Sequence, residues 1–396
     1  MISFSSLGRW RAGWLGCLLA LLPGLRAEEA GTAKIPDRTA VDAAIQRGVE
    51  FLLKQQNPAG WWSTADHPGV TGLVLTALNR EPSGRFRPHR PSELNRAYDF
   101  LLSSARPDGA LHRGQLANYN TALSLLALST ADDPNFLPVI RAARAYLAGT
   151  QIDFGEPGRL DTPFDGGVGY GSRYQHSDMN NTIMALEAMR WSELALPADE
   201  RAGRPQHDLN WEAAIHFLQN CQNLPAKNNA DWVSDDPQDR GGFVYYPGHT
   251  KAQSVTNPVT GRVALRSYGS ISYGGLLSYI YARLDQGDPR VTAVLDWLQA
   301  NYTLDENPGL GPEGYYYYLH LMTKALTAAK VESLRPRDGR EIRWRDEVAA
   351  RLLARQRADG AWVNTGADRW WEGDPVLVTA YSLLALEMLR GHLPPG

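Results

Sequence analysis

The chain has 396 residues, 43% of them hydrophobic, with 40 basic side chains against 43 acidic ones. That length and apolar content support one large core, and the near-balance of charge, with no basic stripe, argues against a nucleic-acid partner. Cys17 falls in the N-terminal apolar run, so its removal leaves Cys221 alone and no intramolecular disulfide can staple the fold.

The chain starts with Arg9 and Arg11 ahead of an apolar run over 12–25 and a Leu25-x-Ala27 pattern. This is the layout of a secretory signal peptide spanning 1–27, which makes the mature chain periplasmic or secreted. An uncleaved anchor is the alternative, although the run is shorter than the roughly 20 residues a spanning helix needs and Pro23 and Gly24 interrupt it. Removing Arg9, Arg11 and Arg26 leaves 37 basic side chains against 43 acidic ones, and no membrane span is expected after them. Residues 28–40 read as an N-terminal extension and 41–392 as a single domain.

Within that domain amphipathic helices are predicted over 41–54, 92–104, 139–150, 210–222, 289–301 and 344–357, where apolar positions recur at helical spacing between charges. Each is followed by a less charged helix, over 70–78, 120–128, 181–189, 271–282, 315–329 and 376–389. A helix apolar on most faces belongs inside, and small residues such as Gly72, Ala122, Gly274 and Gly275 let such helices approach closely. The pairs Phe51-Leu52, Phe100-Leu101, Tyr146-Leu147, Phe217-Leu218, Trp297-Leu298 and Leu352-Leu353 mark the register, with spacings of 49, 46, 71, 80 and 55 residues. Helix pairs of this kind cannot fold singly. Six of them closing into a ring give an all-α (α/α)6 barrel; an open superhelix is the alternative.

Closure puts every outer-to-inner loop at one end. The insertions 151–178 and 222–270 are both of this kind, so they crowd one rim, where the inner-helix N-termini converge with unpaired N–H groups. A loop of that length needs structure or function of its own. The strand-like pieces 242–246 and 262–268 predict a hairpin-like flap over the mouth. The proline-rich return loops 81–91 and 334–339 read as plain connectors.

The first repeat runs Arg47-Gly48-x-x-Phe51-Leu52-x-x-x-Gln56-x-x-x-Gly60-x-Trp62. It resembles the glutamine-tryptophan repeat of squalene-hopene cyclases and related prenyltransferase-repeat proteins. The sixth repeat has Gln356-x-x-x-Gly360-x-Trp362, the second keeps Arg106-Pro107-Asp108-Gly109, and Gln151 with Gly167 and Tyr170, and Gln222 with Gly242 and Phe243, read as versions stretched by the insertions. The resemblance implies an α/α toroid in which the glutamines and tryptophans tie neighbouring repeats together. Ser177-Asp178-Met179-Asn180-Asn181-Thr182 stands where the cyclases have Asp-x-Asp-Asp-Thr, whose middle aspartate is the proton donor. Asn180 replaces it, and an amide cannot supply a proton at useful acidity. Prenyltransferase β subunits, which share the toroid, hold zinc through Asp, Cys and His; no Asp-x-Cys pair opens an inner helix here, so no metal and no cofactor are expected.

Three functions remain. In the first, an aromatic-lined central cavity binds an apolar or ring-bearing ligand, a lipid or glycan, through Tyr170, Tyr174, Asn180, Asn181, Tyr246, Tyr268, Tyr273, Tyr316 and Trp371. His176 and Asp178, two residues apart before an inner helix, are the candidate catalytic pair, although Asp178 is better placed to cap the helix, a role that does not exclude the other. In the second, rim carboxylates such as Glu372 and Asp374, brought near Asp66 and His67 by closure, or His176 with a tyrosine, serve a hydrolase or lyase acting on extracellular polysaccharide. The third is a protein-interaction scaffold, whose sign is a filled barrel.

Overall fold

The computed structural model describes residues 35–87, 90–171, 176–202, 207–336 and 338–395. The signal peptide expected over 1–27 and the candidate ligand residue Tyr174 lie outside the described residues. In chain order the helices are α1 (Arg38–Gln55), α2 (Pro68–Arg80), α3 (Ser92–Leu102), α4 (Ala117–Ser129), α5 (Leu137–Gly149), α6 (Met179–Ala195), the short α7 (Ala198–Ala202), α8 (Trp211–Asn220), α9 (Gly269–Tyr281), α10 (Pro289–Ala300), α11 (Tyr315–Ala328), α12 (Trp344–Arg355) and α13 (Pro375–Arg390).

The six inner helices α2, α4, α6, α9, α11 and α13 pack each on the next, and α13 returns to α2, so the ring closes. Their burial follows from composition: nearly every residue of α2, α4, α9 and α13 is out of solvent. The outer helices α1, α3, α5, α8, α10 and α12 bury one face each and lie against the inner ring. At the seam α1 packs on α12 and α13, the Arg38 N–H donates to the Pro394 carbonyl at 3.0 Å, and Arg390 pairs with Asp42.

One local device recurs at five of the six steps. Gly60, Gly109, Gly166, Gly241 and Gly360 all have φ between +86° and +99°, and a Cβ on any of them would lie 1.8–2.4 Å from a backbone carbonyl of the next outer helix. Only glycine fits such a turn under such a contact. The residue two positions on donates its N–H to a hydroxyl of the following inner helix: Trp62 to Thr71, Leu111 to Thr121, Val168 to Thr182, Phe243 to Ser272 and Trp362 to Thr379. Gln56, Gln151, Gln222 and Gln356 each donate to two carbonyls, one in their own turn and one at or just before the next outer helix. The motif therefore works between repeats, as the resemblance implies, with two corrections. In the third repeat the glycine is Gly166 and the tryptophan equivalent is Val168, not Gly167 and Tyr170; in the fourth the glycine is Gly241, not Gly242.

Both insertions lie at the same end: the hydroxyls of Tyr170 and Tyr245 meet at 3.1 Å, and the Met179 N–H donates to the Tyr245 carbonyl at 2.9 Å. The fourth repeat holds a small antiparallel hairpin, β1 (Ser254–Thr256) with β2 (Val263–Leu265). Its pairing differs from the sequence expectation. The 242–246 piece pairs with neither strand; Phe243 bridges to Gln222, and Tyr246 turns back through Pro247 and Gly248 to bridge His249.

Candidate functional site

Along the axis of the ring α6 and α11 each present a stripe at i, i+3, i+4 and i+7 spacing. In α6 it is Asn180, Ile183, Met184 and Glu187, and in α11 it is Tyr317, His320, Leu321 and Lys324. The Tyr317 hydroxyl donates to Asn180 Oδ1 at 3.3 Å, Tyr119 of α4 hydrogen-bonds Tyr381 of α13, and the Tyr317 and Tyr381 rings lie 5.6 Å apart. This polar aromatic layer divides the bore. Beyond it, toward the return loops, a cavity of about 20 Å³ is bounded by His320, Thr76, Arg80 and the buried Glu187–Lys324 ion pair. Such a space holds about one water, so the far half of the bore is filled.

At the flap end Asp178 is fully buried. It caps α6, with Oδ1 accepting from the Asn181 N–H at 3.0 Å and Oδ2 from the Asn181 side-chain amide at 2.7 Å. Burial pushes its carboxyl up from the ordinary aspartate value, and hydrogen bonds from Asn181 and the Tyr245 hydroxyl only partly offset this. Tyr245 in turn meets Tyr170, so a chain of hydroxyls runs from the carboxyl toward the rim. Burial also holds the Tyr245 and Tyr268 phenols far above their usual range, with the Asp178 charge adding to it.

Over this carboxyl sits an aromatic stack from the two insertions. The His176 and Tyr246 rings are 4.4 Å apart, Tyr246 stacks on His249 at 4.7 Å, and Phe164 closes the edge at 5.9 Å from His176. His176 Nδ1 lies 3.1 Å from the Ser177 carbonyl. Lys251 places its ammonium 4.0 Å above the Tyr245 ring and 5.3 Å from that of Trp370, a cation–π arrangement. Burial, then the nearby Arg369 charge, lowers its pKa.

The first and sixth repeats meet at the rim, as closure requires. His67 packs on Trp371 at 4.8 Å, and the Ser63 hydroxyl donates to Asp374. Trp370 and Trp371 are 38% and 42% exposed, and both have left-handed backbone, with φ of +56° and +66°. A non-glycine residue in that region costs about 1–3 kcal/mol, so two exposed tryptophans are held on the rim against their backbone preference.

Several sequence candidates are placed elsewhere. Glu372 is buried and caps α11, accepting from the Tyr317 N–H at 2.7 Å and the Asn364 amide at 2.7 Å. Asp374 caps α13 through the Val376 N–H at 2.8 Å. Both carboxylates are thus committed to helix N-termini and do not form a free acid pair with each other. Tyr273 points away from the bore to stack edge-on with Tyr318 at 5.6 Å. Tyr316 is buried against Tyr315 and beside Arg355, and its neighbour Tyr317 is the residue that reaches the bore. Tyr170, Asn180, Asn181, Tyr246, Tyr268, His176 and Asp178 do converge. Lys251 and His249 join them without having been singled out, and so does Tyr317, which the sequence offered only as one of the rim run Tyr315 to Tyr318. Among the described residues no cluster of His, Cys, Asp and Glu has the make-up of a metal site, and no helix is long and apolar enough to cross a membrane.

No protein-family model and no curated protein sequence matches the chain. Solved structures do. The type II terpene cyclase MstE from Scytonema superposes with a TM-score of 0.53 at 16% identity, covering 90% of this chain and 100% of that one. A substituted form of that enzyme in complex with geranylgeranyl dihydroxybenzoate gives 0.52 at 16% identity, covering 90% and 99%. A family 76 glycoside hydrolase from a bovine Bacteroides thetaiotaomicron strain gives 0.54 at 10% identity, covering 90% and 79%. At such identities the likeness is one of fold, and the fold is the α/α toroid that a terpene cyclase and a glycoside hydrolase share.

Proposed function

We propose that this toroid binds a small ring-bearing or apolar molecule, of lipid or glycan type, at the flap end of its bore, and that it does not start a cyclisation by protonating an alkene. The observation that carries the proposal is the pairing of Asn180 with Tyr317 across the bore. The bore-facing position beside the capping aspartate is an amide, while the surrounding aromatic groups of a binding site are retained. The terpene cyclase complex has a geranylgeranyl substrate in the same fold, but here the filled far half of the bore favours a shorter occupant above the tyrosine layer. Lys251 supplies a cation for a polar or anionic substituent of that occupant.

The exposed tryptophans and the aromatic stack favour a sugar ring as readily as an isoprenoid one, and the capped carboxylates favour binding over hydrolysis. The filled far bore also keeps a scaffold role in play. Native mass spectrometry of the chain from Glu28 onward, with squalene, geranylgeraniol and neutral and uronic oligosaccharides, separates these. One class is expected to be retained, and Tyr246→Ala is expected to weaken it about tenfold. Cyclised product formed from squalene at enzyme-like rates overturns the proposal, and retention of nothing leaves the scaffold reading. Export belongs to the same proposal, and N-terminal sequencing of the protein recovered from a secreting host tests it.

A further inference from the structure

We propose that the return-loop end of the toroid carries a second ligand site, which takes a monoanionic amphipath, a medium-chain carboxylate in its simplest form. The loops there have the composition of plain connectors, yet they enclose a groove of about 660 Å³, within the range that accommodates small ligands. One wall is apolar, from Leu137 and Ile140 of α5 and Trp191, Leu194 and Leu196 at the end of α6, while Ser129, Thr130 and the exposed Asp132 make the opposite edge polar. Leu194 is 61% exposed on its lip.

The floor is charged. Arg80, the last residue of α2, lies with its guanidinium 4.4 Å over the Trp191 ring. Its Nη2 is buried with no hydrogen-bond partner, and among the described residues it has no ion pair. Nearby carboxylates do not meet the need. Glu187 is taken by Lys324, Asp133 is taken by Arg90, and Glu387, whose two oxygens are also buried without partners, is pushed well above the usual carboxylate range by burial. Arg80 is only partly buried and lines the groove, and a carboxylate matches the geometry of its unpaired guanidinium. Arg87 adds a second positive charge to the lining. The C-terminal ends of α2, α4 and α6 all border the groove and disfavour an anion there, so the side-chain charges of Arg80 and Arg87 have to hold it. The head group therefore seats against Arg80, and the chain lies along Leu194 and Leu196.

Titration calorimetry of the full chain with sodium dodecanoate, dodecanol and dodecyltrimethylammonium, all below micelle formation, tests this. Dodecanoate is expected to bind one per chain, about tenfold tighter than either analogue. The Trp191 indole N–H resonance, assigned through Trp191→Phe, is expected to shift on binding. Arg80→Gln is expected to erase the preference for the carboxylate. Leu194→Asp, at a position 61% exposed, is expected to weaken dodecanoate and favour the ammonium. Equal binding of the three probes, an unmoved Trp191 resonance or indifference to both substitutions overturns the site, and none of these outcomes bears on the flap end.

Discussion

Lys324 and Glu187 form a buried ion pair across the bore, and seven residues earlier on the same two helices Tyr317 meets Asn180. Seven residues are about two helical turns, so α6 and α11 face each other in parallel and repeat one cross-bore contact at two depths. The upper contact is a neutral hydrogen bond near the flap. The lower one is charged, with His320 beside it held well below the usual histidine range by burial and by Lys324.

Breaking that pair from one side leaves an uncompensated charge in the bore. Lys324→Met is expected to destabilise the protein by about 3–5 kcal/mol, whereas Lys324→Met combined with Glu187→Leu recovers most of the loss, because the double variant buries no ion. Urea denaturation of the four members of the cycle measures this. A double variant no better than the single one assigns the pair a structural role beyond charge compensation.

Asp178 makes a prediction with a sign. Its folded carboxyl is raised by burial above the ordinary value of 3.8, so the folded state binds more protons than the unfolded chain at pH values above that point. Stability contributed by the protonated form is therefore lost as pH rises from about 4 toward the folded pKa. Asp178→Asn keeps an oxygen for the Asn181 N–H and does not titrate. Its melting temperature relative to the unsubstituted protein is expected to improve as pH rises from 4 to 7. A difference that is flat with pH means the carboxyl titrates normally.

The ring, the layers and the shared end of the insertions were legible in the sequence because they rest on local signals: helical periodicity, charge contrast between alternate helices and a glycine that only one turn requires. The site was legible in part. Four consecutive tyrosines at 315–318 are chemically equal in the sequence, and only the helix phase, set where α11 starts after Gly314 at φ +64°, turns Tyr317 and not Tyr316 to the bore. Gly166 and Gly167 are likewise adjacent, and the carbonyl of Ala213 that selects the first belongs to a helix far along the chain. Glu372 looked like a rim acid because its partner, the start of α11, lies 55 residues away.

The glycine device separates two costs that usually come together. Gly166 has φ +86°, and a Cβ there would sit 1.8 Å from the Ala213 carbonyl, whereas Gly84 has φ +70° with nothing within 4 Å. Gly84→Ala is expected to cost about 1 kcal/mol from backbone conformation alone. Gly166→Ala is expected to cost roughly 3 kcal/mol or more, because α8 must also move away. Similar losses by chemical denaturation mean the contact relaxes freely.

Gln56 and Gln356 occupy the same place in the repeat but tie different helices. Gln356 donates to the Ala44 carbonyl in α1 and to Gly360, which puts it on the seam where the sixth repeat meets the first. Gln56 donates to Glu93 in α3 and to Gly60. Replacement by alanine removes two side-chain donors in either case, at a cost of about 1–3 kcal/mol. The destination of the loosening differs. Amide hydrogen exchange is expected to speed up in α1 for Gln356→Ala and in α3 for Gln56→Ala, with the opposite helix unchanged. Acceleration spread evenly over all outer helices in both variants means the ring opens as one unit, and the glutamines do not act as separate ties between neighbours.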